Sequence, residues 1–179
     1  MSSSMPRLSA ITFLAILISL TGCVTPPDTE NMAPKLNAIT KRFSGSIGVN
    51  VSGGHMTDIM KYPDISNEDF TTVLVTSLNK TGLFKSVVET NPDYKLQIKL
   101  VKIIRDIGFT CTTKVVAEWQ LTCTRDAQVV SDEFITTAYS RRYGNSFVAE
   151  SRFRQALEYA VRDNIAEGME RLAKLSLDP

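Results

Sequence analysis

The sequence predicts an α+β fold, a two-layer sandwich in which a mostly antiparallel sheet of roughly four to five strands carries two helices on one face. Three observations lead there. Tyr94, Leu96, Ile98 and Leu100 alternate with Lys95, Gln97 and Lys99, and Val115, Ala117, Trp119 and Leu121 alternate with Lys114, Glu118 and Gln120, the period-2 pattern of half-buried strands. Two other segments carry a single apolar stripe at helical spacing, so each has one face to bury. Hairpin-length gaps separate the long strands, which makes them antiparallel neighbours.

In chain order, Val24 to Phe43 holds Pro26, Pro27 and Pro34 among small polar residues and reads as a tether. Ile47, Val49 and Val51 give a strand over Ser46–Val51, ended by Ser52-Gly53-Gly54. His55 to Ile65 is an irregular connection. Ser66 is a helix N-cap with Glu68 and Asp69 in the first turn, where acids suit the helix dipole. Phe70, Val73, Leu74, Ser77 and Leu78 share the buried face, and Gly82 stops the helix. Leu83–Glu89 is a short strand and Asn91-Pro92-Asp93 a turn. The strand from Tyr94 to about Arg105 loses its alternation after Leu100, which predicts a bulge. Asp106–Cys111 reads as a loop, Thr113–Thr122 as a strand, Thr124–Gln128 as a turn and Val129–Tyr139 as the last strand. Arg141–Asn145 is a loop, and Ser146 opens the longest helix, with Phe153, Ala156, Leu157, Ala160, Val161, Ile165, Met169 and Leu172 in one stripe. Glu158/Arg162, Glu167/Arg171 and Glu170/Lys174 stand four apart in the favourable order and read as a solvated face.

The first residues are of another kind. Arg7 precedes an apolar run, Leu8–Leu20, that is shorter than the roughly 20 residues a membrane-spanning helix needs and fits a secretory leader. The run ends in Leu20-Thr21-Gly22-Cys23, followed at once by prolines. This ending resembles the lipobox of bacterial lipoproteins, an aliphatic residue and two small ones before a cysteine. The resemblance implies diacylglycerol on the Cys23 thiol, cleavage before it, and acylation of the new amine. More than one chain is what stable anchoring requires. Val24 in place of an aspartate after the cysteine implies, by the same resemblance, an outer-membrane anchor facing the periplasm. The predicted organisation is a signal peptide over 1–22, a lipidated cysteine and flexible tether over 23–43, and one α+β domain over 44–179.

Apolar residues make up 43% of the chain, enough for a core. Loss of the leader removes Arg7 from the 20 basic residues and leaves them equal in number to the 19 acidic ones. That balance argues against general nucleic-acid binding. Cys111 and Cys123 remain, in a compartment that permits a disulfide. An unbroken strand between them would hold them on the order of 35 Å apart, whereas a bridge needs Cα atoms within about 7 Å. Either the strand is broken or the cysteines are unpaired. Two cysteines and the lone His55 make no zinc pattern, so no metal or other cofactor is expected beyond the covalent lipid.

Further residues carry a second resemblance. Glu68–Val87 (EDFTTVLVTSLNKTGLFKSV), Asp93–Ile103 (DYKLQIKLVKI) and Ala156–Leu172 (ALEYAVRDNIAEGMERL) resemble a widespread group of small, mostly uncharacterised bacterial lipoproteins. The element order is similar to that of the lipopolysaccharide-assembly lipoprotein and of accessory lipoproteins of ABC-type export systems. No catalytic motif belongs to the resemblance.

The residues themselves also lack a recognisable catalytic set. His55 has no nucleophile motif beside it, and Asp64, Glu68 and Asp69 are explained by a helix start. Arg141, Arg142 and Tyr143, with Arg152 and Arg154 nearby in sequence, could contact an anion or lipid headgroup. Lys95, Gln97 and Lys99 with Glu118 and Gln120 imply a polar sheet face open to a partner. The expectation is therefore a membrane-anchored, non-catalytic accessory domain with an envelope protein as partner. An unrecognised envelope enzyme and a self-associating structural lipoprotein are the alternatives.

Overall fold

The computed structural model describes residues 24–177, apart from 37–38, 59–60, 109 and 143–148. In chain order the elements are α1 (Thr29–Met32), β1 (Phe43–Ser52), α2 (Asn67–Thr81), β2 (Phe84–Val87), β3 (Tyr94–Ile107), β4 (Thr110–Cys123), β5 (Val129–Arg142) and α3 (Ala149–Lys174). The strands form one open sheet in the order β2-β1-β3-β4-β5. The three long strands are an antiparallel meander, as their short connections require. β1 differs, because it is parallel to both its neighbours. The sheet is thus mixed, and the helices among the described residues number three.

α2 begins and ends where its sequence says it should. Ser66 accepts the Asp69 N–H at 3.0 Å and donates its hydroxyl to the Asp69 carboxylate at 2.7 Å. Gly82 closes the helix at φ 61°, a conformation that costs a side chain but not glycine. The connection from β2 to β3 then crosses the face of β1 remote from α2. A methyl on Gly48 would lie 2.9 Å from Pro92 Cγ, so only glycine lets the crossing lie flat. Val88 N–H reaches Ile47 O at 2.9 Å as the chain departs.

The described helices all lie on one face. Trp119 is where α2, α3 and the sheet meet. Its ring stands edge-on to Phe70 of α2, centroids 6.4 Å apart, and lies over Gly168 of α3. The indole N–H donates to Asn164 Oδ1 at 3.1 Å, and Asn164 Nδ2 donates to Ile135 O at 3.1 Å. That buried amide is thus bonded at both its oxygen and its nitrogen, as a polar group in an apolar core must be. The opposite face exposes Lys95, Gln97 and Lys99 and is covered by no described helix.

Several boundaries move. The predicted bulge after Leu100 is present, with the β3–β4 register shifting between Leu100 and Lys102. The predicted loop over Asp106–Cys111 is shorter than expected, because pairing continues to Ile107↔Cys111. β5 runs on to Arg142. β4 is continuous from Thr110 to Cys123, so the disulfide alternative falls: Cys111 is buried at one end, Cys123 half-buried near the other, and both are free.

The plain tether expected over Val24–Phe43 also differs in its described part. Asp28 caps the short helix α1 by accepting the Glu30 N–H at 2.9 Å. Met32 is wholly buried, and Leu36 and Ile39 pack against the core. Apolar residues spaced along this segment hold it down as a strap beside α3.

Candidate functional site

The start of α3 organises one pole of the molecule. β3 ends there, β4 begins and β5 ends, with Ile107, Cys111 and Arg141 in register. The irregular 55–65 connection folds onto this pole. Tyr62 meets Phe153 of α3 edge-on at 5.0 Å. Arg105 donates to Pro63 O at 2.6 Å and lies 3.6 Å from the Asp64 carboxylate. His55 N–H donates to Ile65 O at 2.9 Å.

These contacts leave an open cleft of about 760 Å³ lined by His55, Met56, Asp58, Lys61, Tyr62, Asp64 and Arg105. His55 and Asp64 therefore share a cleft. Asp64, however, is engaged: it faces the Arg105 guanidinium and accepts the Ile65 N–H at 3.0 Å. Its placement closes the connection. Asp69 is tied to Ser66 in the α2 cap, so the acidic cluster is accounted for by helix and loop geometry. Among the described residues, no three His, Cys, Asp or Glu side chains are placed to hold a metal ion.

The arginines predicted as one anion site separate. Arg141 and Arg142 are exposed at the end of β5, and Tyr143 lies outside the described residues. Arg152 is buried, 4% exposed, so it belongs to the interior and not to the surface the sequence suggested. Arg154 turns towards Glu158, at 3.8 Å. The lipobox residues Leu20, Thr21, Gly22 and Cys23 also lie outside the described residues.

Glu158 is the residue the sequence misplaced. Its spacing puts it on a solvated face paired with Arg162, yet it is 1% exposed. It accepts the Asp28 N–H at 2.9 Å and the Asn31 side-chain amide at 3.1 Å. Burial pushes its pKa above the usual carboxylate value, opposed by the Asp28 N–H, Arg154 and Asn31. Just over two turns earlier, Glu150 accepts the Thr25 N–H at 2.7 Å. The strap thus runs along α3 in the same direction, from Thr25 at the pole. Arg162 instead stacks over Tyr159, 4.4 Å from the ring centroid. Of the predicted pairs, Glu167–Arg171 forms, and Glu133 of β5 joins it. The signal for the strap was the Asp28-Thr29-Glu30 cap pattern ahead of Met32, which the surrounding prolines obscured.

A second recess, of about 610 Å³, follows the edge of β1. β2 pairs with β1 only as far as Ile47, so Val49, Val75 and Val87 line an uncovered groove beyond it.

No family model matches the sequence, and no curated protein matches it. The fold is shared with solved bacterial structures. A DUF330 protein from Xanthomonas campestris superposes with TM-score 0.60 at 14% identity, over 83% of this chain and 95% of that one. A hypothetical protein from Chlamydia trachomatis superposes with TM-score 0.56 at 8% identity, over 74% and 98%. A chain described as a putative lipoprotein, from Caulobacter crescentus, is similar at TM-score 0.46 and 13% identity, over 71% and 87%.

Proposed function

We propose that this chain is a lipoprotein held by Cys23 in the outer membrane, facing the periplasm, and that its domain is a non-catalytic accessory part of an envelope transport or assembly system. The observation that carries the reading is Leu20-Thr21-Gly22-Cys23 standing immediately before the first residues packed on the domain. No helix among the described residues is long and apolar enough to cross a membrane. The polar sheet face and the groove along β1 offer surfaces for a partner, the latter by strand addition.

In-cell crosslinking of the tagged, lipidated protein with mass spectrometry is the test. Recovery of one specific envelope protein supports the accessory role. Cys23→Ala is expected to abolish lipidation and membrane retention, and a Cys23→Ala protein that stayed lipidated and sedimented with membranes would end the anchor reading.

One observation favours self-association as a second reading. β5 is a long sheet edge that exposes Phe134 (60%) and Val129 (49%), a template for pairing with another copy. Concentration-dependent sedimentation of the lipid-free protein would favour it.

A further inference from the structure

We infer that the pole at the start of α3 rests on the membrane surface, held there by a leash that the strap shortens to almost nothing. The inference rests on the lipidation of Cys23 proposed above. A free tether of some twenty residues would let the domain roam on the order of 25 Å from its anchor. The structure lays the first of those residues along α3. Thr25 is already hydrogen-bonded to Glu150, and Asp28 and Asn31 to Glu158. Two Cα–Cα steps separate Thr25 from Cys23, so the lipid-bearing residue lies within about 8 Å of a residue fixed on this pole.

The pole has the chemistry for that position. Met56 is 84% exposed and Tyr62 44% exposed, an apolar and an amphipathic side chain on the same connection. Arg141 and Arg142 end β5 exposed at the same pole, and Lys61, also exposed, reaches Asp58 at 3.4 Å. An aromatic ring with a polar tip and long cationic side chains suit the headgroup layer, where apolar stems sink and charges meet phosphates. The opposite pole, where β1 begins and α3 ends, points away from the bilayer. The polar sheet face then stands upright, open to a partner in the periplasm.

The test is hydroxyl-radical footprinting of the full lipidated protein on vesicles of phosphatidylethanolamine with phosphatidylglycerol, compared with a variant carrying a flexible Gly-Ser spacer between Val24 and Thr25. Met56 and Tyr62 are reactive side chains at the pole, and Phe134 on β5 is the exposed reference. Labelling of Met56 and Tyr62 is expected to fall several-fold on vesicles relative to Phe134, and to recover in the spacer variant. Equal labelling of the two proteins at Met56 and Tyr62, or loss of labelling at Phe134 instead, overturns the orientation. Mass spectrometry of the peptide containing Cys23 separates this failure from the other: an unmodified Cys23 refutes the anchor, whereas a lipidated Cys23 with a fully labelled pole refutes only the placement.

Discussion

Gly168 offers the most decisive single perturbation. Alanine is ordinarily the better residue inside a helix, by about 0.8–1.0 kcal/mol over glycine. At this position the added carbon would lie 2.4 Å from Trp119 Cη2 and 2.6 Å from both Cζ2 and Cζ3. Carbon contacts are comfortable near 3.5–4.0 Å, so the ring must retreat by about 1 Å. Trp119 cannot retreat freely, because Asn164 holds its N–H and Phe70 stands against its ring. Overpacking a tight core costs about 1–3 kcal/mol, and three close contacts on a held ring place this case near the top. The gain in propensity offsets only part of that, leaving a net loss of about 2 kcal/mol. For a domain of this size such a loss lowers Tm by about 4–8 °C. Thermal unfolding followed by far-ultraviolet circular dichroism reads it directly. The same change in a Trp119→Leu background, where the ring is gone, should be neutral or stabilising. If Gly168→Ala raised Tm in the native background, or cost the same in both, the packing of α3 on Trp119 would be wrong.

Two further outcomes follow from buried groups. The pKa of Glu158 is raised by burial from the ordinary 4.5, so its contribution to stability is present in full below about that pH and is lost as pH rises through the folded value. Glu158→Gln should therefore gain on the parent protein across that window and run parallel to it at lower pH, seen as the difference in Tm between the two; a difference independent of pH would contradict the burial. Cys123 should be alkylated in the native protein and Cys111, 3% exposed, only after unfolding; a crosslinked Cys111–Cys123 peptide under non-reducing conditions would contradict the continuous β4.

The elements that were legible in the sequence are those whose burial is one-sided. β3 and β4 alternate because one face meets helices and the other meets water, and α2 is bracketed by a cap serine and a left-handed glycine. The direction of β1 was not legible, since Ile47-Gly48-Val49 reads the same in a parallel or an antiparallel pair. Only Gly48 against Pro92 shows that a chain must pass there. The strap was hidden for a different reason. Its prolines have the composition of a linker, while its holding contacts are backbone N–H groups, which leave little trace in side-chain pattern. Glu158 was misread because four-residue spacing to Arg162 is a surface habit, and nothing local shows that a segment far away in sequence will cover it. Of the candidate arginines, spacing along the chain placed all four together, whereas the start of α3 turns Arg152 inward and leaves Arg141 and Arg142 outside.

The crossing over Gly48 also bears on how the chain assembles. The β3–β4–β5 meander is made of local hairpins that can close early. β1 cannot join them until Tyr94 and Leu96 exist for Ile47 and Val49 to meet, and those partners come much later in the chain. When it does join, it enters a slot one strand wide, with α2 on one side and the Val88–Asp93 arch on the other. Until the slot is filled, the β3 edge stands unpaired and open to another chain. A newly made chain is thus most vulnerable to misassociation at that edge, and the filling of the slot by β1 ends the vulnerable period.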